Sequence, residues 1–164
     1  MRIINESTAI ALAYGYSKKT ELSDSKARCV AFVDFGHSAL TVTFCSFYTG
    51  KTTIIMTHSN RNVGARQIDY ILFQTFAQEF FKKHGVDPRE NNRCRLRLLD
   101  AIEKMRKLLS SNKEAEVNCD SLLDDIDYHR SMKRDELESL LEPFMKDFTY
   151  CLQHALAKSG KFLL

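Results

Sequence analysis

No stretch of this 164-residue chain approaches the ~18 consecutive apolar residues of a membrane-spanning helix, so no such helix is expected. Paired cysteines are missing too: Cys29, Cys45, Cys94, Cys119 and Cys151 stand far apart, with no CxxC and no Cys/His cluster at zinc-finger spacing. A zinc ribbon is thereby excluded, and a reduced, cytoplasmic setting is the simplest expectation. Neither sign of charge dominates. With 24 basic and 21 acidic residues the net charge is +3, which creates no long-range field toward nucleic acid or a membrane surface. There is no internal repeat and no low-complexity tract. Residues 1–13 are mostly apolar, but they carry Asn5 and Glu6 and lack the basic start and small-residue cleavage site of a secretory leader. What the chain does have is 44% apolar content, enough to pack one globular unit or two small subdomains.

Periodicity organises the rest. Asn5 to Tyr16 reads as a short helix with Ile4, Thr8, Ala11 and Leu12 roughly on one face and Gly15 as its stop. A polar loop, 17–26, precedes three β-rich runs at Arg28 to Phe35, Leu40 to Tyr48 and Lys51 to His58, whose short connections predict an antiparallel meander. From Gly64 to His84, Ile68, Leu72, Phe76 and Phe80 recur every four residues, which predicts a largely buried helix. A second long helix is expected over 89–111, then strands near 114–119 and 125–129. A last helical region follows from about 133 to 158, kinked or restarted at Pro143. The fold class is mixed α/β, with segments at 1–63, 64–131 and 132–164.

Three places attract chemistry. The turn Asp34-Phe35-Gly36-His37-Ser38 joins two strands; small-residue turns of this kind expose N–H groups that cradle phosphate while the aspartate faces a metal-bound water, and an ordinary hairpin reads the same. Thr49-Gly50-Lys51-Thr52 imitates a Walker loop but is rejected, because Cys45 stands where its first glycine belongs and a strand follows in place of a helix. Glu103, Arg106, Lys107 and Ser110 share one polar face of the second long helix. Such a face serves ribose hydroxyls and a purine, or simply ion pairs in water. Arg89, Arg93, Arg95 and Arg97 suggest RNA only weakly, since no exposed aromatics interleave them; a solvent or protein-contact face fits as well. The five histidines, His37, His58, His84, His129 and His154, show no i, i+4 pairing, so a histidine-based metal site is not expected. No Ser-His-Asp or Cys-His set can be argued from the spacing.

Taken in order, Arg2-Ile3-Ile4-Asn5-Glu6-Ser7-Thr8-Ala9, the turn from Asp34 to Ser38, Asn62-Val63-Gly64-Ala65-Arg66-Gln67-Ile68-Asp69, and Glu103 to Ser111 resemble successive signatures of one family. It is that of the seventy-kilodalton heat-shock chaperones and their larger hundred-and-ten-kilodalton relatives. Ile126-Asp127-Tyr128 and the helix around Glu136 to Leu141 fit as well, so the resemblance covers nearly the whole chain. It implies the actin-like, ribonuclease H-like ATPase fold, of which this is most of the second lobe. It places Glu6 and Asp34 near Mg2+ and the phosphates of ATP or ADP, Asp34 acting on the metal through water. Gly36, His37 and Ser38 become the second phosphate loop, Gly64 and Ala65 approach the same phosphates, and Glu103, Arg106, Lys107 and Ser110 hold the adenosine.

The departures from the family pattern point to its larger, exchange-factor branch. Where foldase members carry a glycine-rich turn followed by threonine and an acidic residue, this chain has His37, Ser38, Ala39, Leu40 and Thr41, so hydrolysis is expected to be weak or absent. Asp-Phe-Gly-His-Ser, Arg66 and Pro143 look like the same branch, while Ser7 replaces a proline and Ala65 a glycine. The first-lobe phosphate loop and its lysine lie outside these residues, so ATP is expected to bind poorly to this segment alone. The implied role is an ATP-binding co-chaperone that serves a seventy-kilodalton foldase and unfolded clients, with no nucleic-acid or membrane partner. The alternative is a divergent foldase ATPase that couples hydrolysis to peptide binding.

Overall fold

Alternating apolar residues and short polar turns build the first of two units. Strands β1 (Arg28–Phe35), β2 (Leu40–Tyr48) and β3 (Lys51–Asn60) form an antiparallel sheet in the order β1-β2-β3. The computed structural model describes residues 3–160, so Arg2 of the first motif lies outside the described residues. Residues up to Gly64 together with those from Lys146 onward form this unit, and Ala65–Met145 form the other. Residues 132–145 of the third expected segment therefore belong to the second unit, and only its remainder returns to the first.

On one face of the sheet lies α1 (Glu6–Ser17), where Ala11, Cys45 and Phe47 are buried. Tyr14 packs on Phe32 and Phe47 with ring centroids 5.4 and 5.0 Å away. Two expectations fail here. Gly15 is no stop, because the helix continues to Ser17; it lies where α1 meets the sheet, and a Cβ there would stand 3.1 Å from Thr52 Oγ1 and in ordinary contact with the Phe47 ring at 3.4 Å. Ile4 and Leu12 are 52% and 53% exposed, and Ala11 alone of the expected stripe is buried. The opposite face meets the part of α5 (Glu142–Lys158) that belongs to this unit. Phe148 meets Phe35 edge-on at 5.6 Å, His154 meets His58 at 4.8 Å, and Asn60 Nδ2 donates to Cys151 Sγ.

The second unit is built on two helices and a hairpin. In α2 (Ala65–His84) the expected stripe is buried at Leu72, Phe73, Phe76, Ala77 and Phe80. It packs with Leu98, Ile102, Met105 and Leu109 of α3 (Asn92–Leu109) and with Val117, Tyr128 and Met132 of the hairpin β4 (Glu114–Leu123) and β5 (Ile126–Lys133). The second helix starts at 92 and not 89 because Asn91 caps it, its side chain accepting from the N–H of Arg93 and Cys94. Both hairpin strands run longer than expected. Their pairing is irregular between Cys119 and Leu123, where Ser121 adopts φ 44°. Arg97 donates to the carbonyls of Asp120 and Ser121, and Ser121 N–H donates to Asp127, so this irregularity is pinned from two sides. The final helical region breaks in two. α4 (Arg134–Leu140) ends at Leu141, and Pro143 sits in the first turn of α5, where its missing N–H costs nothing. Five α-helices and two small antiparallel sheets among the described residues give the mixed α/β class expected from the sequence.

Candidate functional site

In the first unit the candidate residues gather at one end of the sheet. Asp34 pairs with Thr41, and Thr41 with Ser59, so these three polar side chains share a row across β1, β2 and β3. Thr41 and Ser59 hydroxyls hydrogen-bond at 3.0 Å, and Thr43 and Thr57 repeat the pairing at 3.3 Å one row in. Helix α1 crosses the same face. Gly15 lies over Phe47 and Thr52, with Ala11 beside Cys45, so the helix points its N-terminus and Glu6 toward the Asp34 end.

Beyond Asp34 the β1–β2 turn closes with Gly36 N–H donating to the Ala39 carbonyl at 2.9 Å, which leaves His37 and Ser38 exposed at the tip. The Gly36 amide is thus spent on shaping the turn. Directly behind it comes Gly64, buried, where a Cβ would stand 2.7 Å from the His37 carbonyl oxygen and 2.8 Å from Ala39 N and Ser38 C. No side chain fits there, so two backbone segments meet bare. The segment around Gly64 thereby packs directly on the backbone of the turn, close to the row that begins at Asp34.

The remaining candidates belong to the second unit. Ala65 opens α2, and the other four sit at the end of α3. Glu103 and Lys107 form an exposed i, i+4 ion pair at 2.7 Å; the Lys107 hydrogen bond, aided by the charges of Lys107 and Arg106, holds the Glu103 carboxyl below its ordinary pKa. Ser110 caps the helix, its hydroxyl donating to Lys107 O at 2.6 Å. Arg106 departs from this exposed set. It turns onto α2, where Nε and Nη2 donate to the two carboxylate oxygens of Asp69 at 2.5 and 3.1 Å. Asp69 was not picked out as a site residue from the sequence. Its signal is a carboxylate lodged among the apolar positions of α2, where burial demands a partner.

The arginine run is largely structural. Arg89 pairs with Asp87 at 2.6 Å, and Arg97 holds the hairpin irregularity, while Arg93 and Arg95 are exposed. A group not expected from histidine spacing also forms: Asp120, Asp127 and His129 place ligand atoms within 4.8 Å of one another, all exposed. No single element holds all three, which is why spacing along the chain did not show it. None of the helices among the described residues is long and apolar enough to cross a membrane.

Comparison with known proteins covers nearly the whole chain. The family model described as Hsp70 protein matches residues 1–161. This chain belongs to the Hsp70 family. It is 39% identical over 162 residues to a heat shock protein homolog of Naumovozyma castellii, a match covering 98% of this chain and 24% of that protein. It is 37% identical over 161 residues to the heat shock protein homolog of the same name in Saccharomyces cerevisiae, covering 97% and 23%. To heat shock 70 kDa protein 14 of Arabidopsis thaliana it is 36% identical over 160 residues, covering 98% and 19%. The chain thus spans a quarter or less of the length of the relatives it matches. Its mixed helix-and-strand architecture is consistent with a fragment of an Hsp70-family ATPase domain.

Proposed function

We propose that this chain is the second-lobe part of the ATP-binding domain of a hundred-and-ten-kilodalton-type heat-shock chaperone, a cytoplasmic nucleotide-exchange partner of a seventy-kilodalton foldase and a holder of unfolded clients. In this reading Gly36, His37 and Ser38 form the phosphate loop, Gly64 and Ala65 approach the same phosphates, Asp34 acts on Mg2+ through water with Glu6 nearby, and Glu103, Arg106, Lys107 and Ser110 hold the adenosine. The observation that carries it is the chemistry around the turn. Ala39 offers no hydroxyl, and position 41 holds a threonine bonded to Ser59 and not a carboxylate, so after Asp34 these two positions add nothing to orient an attacking water. A site that binds ATP and hydrolyses it slowly suits a protein whose work lies in a protein interface.

The test is the release of labelled ADP from a foldase partner, measured beside ATP turnover in the full-length protein. Accelerated release with slow turnover supports the exchange role; fast turnover with no effect on the partner rejects it. One observation favours a second reading, a divergent foldase ATPase: two carboxylates, Asp34 and Glu6, are kept toward the same end of the sheet. Under the exchange reading, Ala39→Thr with Thr41→Asp raises turnover, whereas a protein already fast without them supports the second reading.

A further inference from the structure

Asp69 and Thr43 are the buried polar residues among those described, and Asp69 is 8% exposed. It sits on α2 beside the buried Leu72 and Phe73, in surroundings that penalise a carboxylate without a partner. Arg106, four residues before the end cap of α3, has a stem long enough to carry its charge into water. It instead folds onto Asp69 as a two-pronged pair, its side chain 23% exposed and the Asp69 side chain 12% exposed. The contrast with its neighbour is sharp. The Glu103–Lys107 pair is 48% and 67% exposed on its two sides, so an arriving ligand can exchange it for its own contacts at little cost.

We propose that Asp69 is a positioning residue of the adenosine face, clamping the Arg106 guanidinium in one plane before a nucleotide arrives. This rests on the assignment of that face to adenosine. The Nε–Nη2 edge is committed to Asp69, so a ligand would meet the guanidinium through the part of the Arg106 side chain that stays exposed, 23% of it. A two-pronged pair fixes the orientation of that plane, which a single contact does not, and a plane set beforehand loses less freedom when a purine stacks on it. The face therefore has two kinds of group: Glu103 and Lys107, which exchange partners on binding, and Arg106, which does not move.

The experiment compares Asp69→Asn, Arg106→Lys, the double variant and Lys107→Ala in the full-length protein. Binding of Mg-ADP and of Mg-bound inorganic triphosphate is measured by calorimetry, with melting recorded for each. Asp69→Asn and Arg106→Lys each weaken ADP roughly tenfold or more, leave triphosphate unchanged, and are no worse combined than alone, because both remove one fork. Arg106→Lys keeps the charge beside Asp69, so it carries the test if Asp69→Asn does not fold. Normal ADP affinity in Arg106→Lys with weakened affinity in Lys107→Ala overturns the positioning role and leaves the adenosine face standing. Unchanged ADP affinity in Lys107→Ala and Arg106→Lys alike removes the face and the clamp together, and equal loss of ADP and triphosphate also refutes the clamp.

Discussion

Gly64→Ala tests the tight approach behind the β1–β2 turn. The added methyl would lie 2.7 to 2.8 Å from three backbone atoms of His37, Ser38 and Ala39, none of which can rotate aside. Either the turn or the 63–65 backbone must shift, at about 1–3 kcal/mol, and the stiffer unfolded chain returns about 0.4–1 kcal/mol of that. The net loss is therefore about 1–2 kcal/mol. With a urea slope of about 1–3 kcal/mol per molar, the unfolding midpoint followed by circular dichroism falls by roughly 0.5–1 M. Gly15→Ala is the internal control. Its methyl meets the Thr52 hydroxyl at 3.1 Å, a side-chain tip that can turn, while α1 gains about 1 kcal/mol of helix propensity. That variant stays near wild type or above it. If Gly64→Ala unfolds at the wild-type midpoint, the close approach does not constrain the turn and the reasoning fails.

Three further outcomes follow from the geometry. Asp124 and Asp125 turn the β4–β5 hairpin with φ of 50° and 58°, values suited to Asn-Gly, so replacing them with Asn and Gly raises stability by about 0.5–1 kcal/mol in denaturant titration; a decrease would contradict the turn assignment. Burial, then the charges of His154 and Lys158, hold His58 below its ordinary pKa. The unfolded chain therefore binds the proton first, so stability is level above about pH 6.5 and declines as pH falls below it; His58→Gln flattens that decline, and an unchanged slope counts against the His58–His154 packing. Leu98 is fully buried in the second unit, and Leu98→Ala lowers stability by about 2–5 kcal/mol, whereas a loss under about 1 kcal/mol would mean that this core is loosely packed.

Local patterns were readable where a single residue type decides the backbone. The four-residue repeat from Ile68 to Phe80 marked α2, Val- and Thr-rich runs marked the three strands, and Pro143 marked the break between α4 and α5. Gly15 misled because glycine as a helix stop and glycine as a point of close approach are the same letter; Phe47 and Thr52, more than thirty residues away, settle which one applies. On α3 the spacing of Glu103 and Lys107 is enough to foretell their exposed ion pair. Arg106 was not separable from them, because its partner Asp69 lies 37 residues earlier on another helix. The Asp34 row was invisible for a similar reason: register, not sequence order, sets Asp34, Thr41 and Ser59 side by side.

The bond from Asn60 to Cys151 joins residues 91 positions apart, with the whole of 65–145 between them. On a ribosome adding about 5–20 residues per second, the meander waits on the order of ten seconds for the helix that covers its second face. Meanwhile the interior segment has every residue it needs and can close first. Val42 and Phe44, buried in the finished sheet, are then uncovered during synthesis. Chain growth thus makes the three-stranded sheet the last part of this segment to be completed, and the part most in need of shelter while it forms.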